Sequence, residues 1–192
     1  MTSYSAYYAV NDRPVKFVQL ADGGVDCLVL DMQSGRFVPD RSYFAAVAPG
    51  SGKDVDQLSP QDFDALVMLQ RARLLRTWCE RLSAAVTTEE QYLVAALGVT
   101  LEPRPLEAEQ IYVSGGGAAP NIELWLQPNT LTREALDLAL GTARAVPTIP
   151  SGDFRSVVYT VTVPSGFYKV SAFADFEGSV QPRATVRKVI LR

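Results

Sequence analysis

Gly50-Ser51-Gly52-Lys53 is the fragment of this 192-residue chain that comes nearest to a known chemical device. A phosphate loop of the Walker type reads G-x-x-x-x-G-K-[ST]. Its first glycine turns the chain, its backbone N–H groups surround the phosphates, its lysine reaches the outer phosphates and its hydroxyl binds Mg²⁺. Here the position five before Gly52 is Val47, and Asp54 follows Lys53. A carboxylate at that point repels phosphate. The helix signals begin only at Ser59, well past the lysine. The segment therefore reads as a flexible joint. Gly115-Gly116-Gly117 raises the same question, because a glycine-rich loop that opens a helix can cradle an anion. Ala118-Ala119-Pro120 and a strand-like run follow it, so it reads as a hairpin loop.

The chain has no histidine. That removes the usual neutral-pH base and the commonest metal ligand, and with them Ser-His-Asp, Cys-His and His-ligated metal chemistry. The two cysteines, Cys27 and Cys79, sit in apolar runs and read as small buried hydrophobes. No cofactor or metal is expected. Carboxylates are the remaining acid–base candidates: Glu89-Glu90, Glu107 with Glu109, and Asp175 with Glu177. Neighbours on a helix diverge, whereas residues two apart in a strand share a face. Such pairs can hydrolyse glycosidic bonds or bind Ca²⁺. Asp175 and Glu177 flank Phe176 just before Gly178, which suits an exposed turn.

Arg71 is the most informative single residue. It falls at the centre of an apolar helical face, one turn from Val67 and Leu75 and two from Trp78. A buried guanidinium must find a carboxylate, cap carbonyls or reach water. It reads either as an internal ion pair or, with Trp78, as an anion-recognising site. Leu66 and Leu69 project from the otherwise polar side of the same helix and suggest that it is covered twice, by another layer or by a partner. Tyr4, Tyr7 and Tyr8 can dock on a partner or pack an N-terminal strand onto the core.

These residues need elements to hold them. "PVKFVQL" (14–20), "VDCLVLD" (25–31) and "RFV" (36–38), joined by Asp22-Gly23 and "MQSG", predict a three-strand meander. Ser59 as cap, Pro60 at the first helical position and Asp62 near the positive dipole end open a helix running to about Ala85. Phe63, Val67, Leu74, Leu75, Trp78, Cys79 and Leu82 share its apolar face. A shorter helix follows, capped by Thr88 with Gln91 and stopped at Gly98. Pro103 and Pro105 mark a linker or crossover. Strands at 110–114 and 121–127 come next, then a helix from Thr132 stapled by Leu131 and Leu136. Strands at 155–163, 167–174 and 183–191 complete the chain.

Acidic and basic residues nearly balance, at 21 against 18. That argues against a nucleic-acid surface, although Arg183, Arg187, Lys188 and Arg192 form a local basic strand face. The N-terminal residues lack a signal-peptide pattern and no long apolar run occurs, so a soluble cytoplasmic protein with no membrane partner is predicted. The fold class expected is α+β. Residues 1–100 form a meander with two helices and residues 101–192 a mainly antiparallel half with one helix, with one core shared between them if the halves do not separate. With imidazole chemistry gone, the leading reading is a non-enzymatic interaction module, such as an assembly subunit or immunity-type inhibitor, whose partner is another protein or its own copies. A small anionic-ligand binder using Arg71, and a carboxylate-dependent hydrolase, are the alternatives.

Overall fold

The computed structural model describes residues 5–115, 120–146, 154–163, 166 and 169–192. Tyr4, Gly116 and Gly117 lie outside them, as does most of the turn expected at Pro164-Ser165-Gly166. The fold is α+β, with two antiparallel sheets and, among the described residues, four α-helices. It divides into two compact units, Met1–Val67 and Met68–Arg192. No helix among the described residues is long and apolar enough to cross a membrane.

The first unit is built on strands β1 (Ser5–Val10), β2 (Arg13–Gln19), β3 (Val25–Leu30), β4 (Phe37–Pro39) and β5 (Val55–Leu58). Their order in the sheet is β4-β3-β2-β1-β5. The meander is as expected, but β1 extends it on one side. Asn11 and Asp12 close the β1–β2 hairpin with φ of 48° and 63°. A two-residue type I′ connection needs two left-handed residues, and Asn and Asp tolerate that region best. A short helix α1 (Tyr43–Val47) covers one sheet face, where Tyr43, Ala46 and Val47 pack on Val10, Val15, Cys27 and Val29. Phe63 and Val67 cover the other with Leu30.

Those last two residues belong to α2 (Pro60–Ser83). Its start is capped as its residue types predict: Ser59 Oγ accepts from the Asp62 N–H at 3.2 Å and donates to the Asp62 carboxylate at 2.6 Å. All seven residues assigned to its apolar face are buried, each burial being worth roughly 1.5–3 kcal/mol for a large side chain. From Leu74 onward they join the core of the second unit.

That unit contains α3 (Glu90–Leu97), β6 (Gln110–Ser114), β7 (Asn121–Trp125), α4 (Arg133–Leu140), β8 (Arg144–Ala145), β9 (Phe154–Val161), β10 (Val170–Glu177) and β11 (Val186–Leu191). The strand order is β6-β7-β11-β10-β9-β8. After β7 the chain passes through α4 to the far edge, then meanders back to β11 beside β7. Thr132 caps α4 and both staple leucines are buried. α3 opens at Glu90 with Glu89 in the cap position and no side-chain cap bond, so the cap lies one residue beyond the expected Thr88. Gly98 stops it with φ 71°. All three helices pack on one face of the sheet. Ile122, Leu124, Val157, Tyr159, Ala172, Ala174, Val189 and Leu191 point into that shared core.

Candidate functional site

The Gly50–Lys53 segment leads into strand β5, not into a helix. Gly50 and Gly52 take φ of 82° and 70° and face open space. No helix N-terminus stands behind Lys53, so the segment has no dipole to aim at phosphate. Gly115 serves a different need. A Cβ there would run into the Thr88 carbonyl and the Glu90 nitrogen, so only glycine lets β6 end against the start of α3.

Arg71 is 5% exposed. Its Nη2 donates to Oε2 of Glu107 at 2.7 Å. Glu107 follows Leu106 in a single turn of 3-10 helix, and both hold left-handed φ, 54° and 56°. Trp78 is fully buried in the second unit's core, and its Nε1–H has no hydrogen-bond partner among the described residues. Leu66 and Leu69 are half-buried.

Tyr7 and Tyr8 are successive strand residues and so point to opposite sheet faces. Tyr7 packs on Phe63 with ring centroids 4.7 Å apart, and Tyr8 on Phe17 at 5.2 Å. Both are half-buried in separate clusters.

The carboxylate pairs are redistributed by a bulge. β10 continues through Asp175 to Glu177, where a turn was expected, and Asp175 is 8% exposed. It is held by Ser156 Oγ at 2.6 Å and Lys188 Nζ at 3.0 Å. Between Asp175 and Phe176 the pairing with β11 jumps from Lys188 to Val186, which leaves Arg187 as the extra residue. A bulge re-aims the side chain it carries. Arg187 donates to the Leu126 carbonyl at 3.0 Å and pairs with Glu177 at 3.3 Å and Glu109 at 4.0 Å. Glu109 and Glu177, from distant segments, thus meet at one guanidinium beside a hollow of about 540 Å³. A hydrolytic pair needs its two carboxyl groups to face a substrate bond, with the gap between them free. Here Arg187 stands in that gap. Three of the four residues of the basic strand face are therefore engaged: Arg187 and Lys188 hold ion pairs, and Arg192 lies 4.9 Å over the Phe173 ring, while Arg183 is exposed. No group of three or more Cys, Asp or Glu among the described residues is placed to hold a metal ion.

The sheet face opposite the three helices is the feature that residue spacing alone did not reveal. The register sets two rows across it. One runs Gln110–Trp125–Lys188–Asp175–Ser156, the other Tyr112–Glu123–Ile190–Phe173–Val158. Trp125, Val158, Phe173 and Ile190, with Phe154 at the end, are half-buried and belong to none of the buried clusters. Lys188 sits 5.0 Å over the Trp125 ring, and Phe154 meets that ring edge-on. The Trp125 Nε1–H donates to Glu123 at 2.6 Å. The sign was present in the apolar runs Leu124-Trp125-Leu126 and Val189-Ile190-Leu191. A strand with apolar residues at consecutive positions shows them on both faces.

Comparison with protein families, with curated proteins and with solved structures finds no match.

Proposed function

We propose that the chain is a protein-interaction module and that the helix-free face of its six-stranded sheet meets the partner, either another protein or further copies of itself. The observation that carries this reading is the set Trp125, Phe154, Val158, Phe173 and Ile190, apolar side chains left outside every core cluster. Contiguous apolar surface left partly exposed outside the core marks interaction sites on globular domains. Its chemistry also fits. Aromatic and long aliphatic side chains form the centre, while Lys188, Arg192 and Glu123 stand over or beside the rings, as in interface centres with a polar rim. Glu109 and Glu177 share Arg187, which favours binding over hydrolysis at that hollow.

The test is the state of the purified 192-residue chain, by light scattering and by what it is isolated with. An oligomer or a defined complex is expected, weakened by Trp125→Ser or Phe173→Ser while far-UV circular dichroism is unchanged. A monomer isolated with nothing would end the reading. So would complexes indifferent to both variants.

A further inference from the structure

We infer that strand β6 is a self-pairing edge, and that two copies join antiparallel along it to make one twelve-stranded sheet. The inference rests on the reading of the chain as an interaction module and names the occupant of one border of its exposed face.

The two sheets present four edge strands, and three carry a feature that discourages strand addition. β4 is three residues long and ends in Pro39. β8 is two residues long and carries Arg144. β5 carries Asp56 and follows Lys53-Asp54. Short length, proline and charge are the usual means of blunting an edge. β6, Gln110-Ile111-Tyr112-Val113-Ser114, has none of them. It is five residues long and uncharged.

Its residues also match themselves. An antiparallel pair of β6 strands centred on Tyr112 sets Ile111 opposite Val113, Gln110 opposite Ser114 and Tyr112 opposite its own copy. Within Gln110–Ser114 no charge meets a like charge; the like charges that approach are at its ends, where Glu89 and Glu90 stand against Gly115. Glu109 falls opposite Gly115, and the nearest carboxylate on the outer row, Glu123, lies one strand back in each copy. Three strand spacings then separate the two carboxylates, roughly 14 Å, beyond the physiological Debye length. The burial pattern points the same way. Ile111 and Val113 face the core yet stay partly exposed, whereas Ile122 and Leu124 beside them on β7 are fully buried. Tyr112 is 54% exposed. A neighbouring strand covers all three and satisfies the outward backbone groups of β6, and pairing across the two-fold axis merges the two outer faces. A five-residue edge is small against the roughly 800 Å² per partner of a standard interface. The dimer is therefore concentration-dependent.

The experiment is sedimentation of the 192-residue chain over a micromolar-to-millimolar series, for the unaltered protein, Tyr112→Lys and Tyr112→Cys. A monomer–dimer equilibrium is expected, weakened about tenfold or more in Tyr112→Lys, where two ammonium groups meet across the axis. Tyr112→Cys should yield a disulfide-linked dimer on mild oxidation, since Cys27 and Cys79 are fully buried and cannot compete. It also reports on the edge if Tyr112→Lys fails to fold. A dimer untouched by Tyr112→Lys, with no cross-link in Tyr112→Cys, overturns the inference but leaves the interaction reading standing. A chain isolated as one copy on a different protein does the same. A monomer at every concentration, isolated with nothing, overturns both.

Discussion

Nη2 of Arg71 and Oε2 of Glu107 lie 2.7 Å apart, and the two ends of that contact live in different solvents. The Arg71 side chain is 6% exposed and that of Glu107 is 42%. The pair ties α2 to the turn that feeds β6. Removing either partner is therefore not equivalent. Glu107→Ala strips a buried guanidinium of its carboxylate, and about 1–3 kcal/mol should be lost, less than for a fully buried pair because water reaches Glu107. Arg71→Met leaves a carboxylate that can turn to water and should cost under about 1 kcal/mol. Urea denaturation of both variants measures the order. If Arg71→Met proves the more damaging, the ion pair is not what holds this turn.

The thiols should be inert in the folded chain. Cys27 and Cys79 are both fully buried and free. Burial, then Asp40 and Asp26, pushes the Cys27 thiol up to about 11. Burial, then Glu80, pushes Cys79 up to about 12. At pH 8 only about a thousandth or less of either is thiolate, and the reagent cannot reach it. An aromatic disulfide reagent should label neither in native buffer and both in denaturant. Prompt labelling of one equivalent in native buffer would place that cysteine at the surface.

α2 was legible because its signals are local. Ser59, Pro60 and Asp62 set its start, and seven apolar residues at helical spacing set its face. β5 was not, since Val55-Asp56-Gln57-Leu58 has no strand pattern of its own and exists by pairing with β1, some 48 residues earlier in register. The meeting of Glu109, Glu177 and Arg187 was equally hidden. It depends on a bulge, which is a relation between β10 and β11 and leaves no mark in either segment. Asp175 looked like a turn residue because Gly178 is near. It is a strand residue because Ser156 and Lys188 satisfy its carboxylate. The outer face was half-legible. Its apolar runs lie in the sequence, but which of their residues share the outer face depends on the pairing register.

Acid should loosen the β3–β4 turn through Asp31. Its carboxylate accepts from the Gln33 and Ser34 N–H groups at 3.3 and 3.0 Å and from the Ser34 hydroxyl at 2.5 Å. Burial alone would raise it. The hydroxyl, the two N–H groups and the nearby Arg13 charge outweigh that and hold the carboxyl below its ordinary value. The stabilisation is complete above the unfolded value of about 3.9 and is lost as pH falls through the lower folded value. Asp31→Asn should cost about 1 kcal/mol at pH 7, with the gap to the unaltered chain closing toward pH 3. A gap that stays constant with pH would remove Asp31 from the acid response.

At the alkaline end the titrating group is Tyr159. It is fully buried beneath α4, and its hydroxyl donates to Asp137 Oδ1 at 2.8 Å. Burial first, then the Asp137 hydrogen bond and charge, raises its ionisation far above the ordinary phenol. The folded chain therefore keeps a proton that the unfolded chain gives up. The stabilisation is whole below the unfolded value of about 10 and drains as pH climbs toward the folded one. Tyr159→Phe loses one hydrogen bond, leaves Asp137 to Arg133 at 3.4 Å, and should cost about 1 kcal/mol at neutral pH. It should also flatten the fall in stability above pH 10, because phenylalanine has no proton to lose. Thermal midpoints of the two chains between pH 7 and pH 11 decide the matter. Curves that stay parallel through that range would show that Tyr159 ionises no later in the folded chain than in the unfolded one.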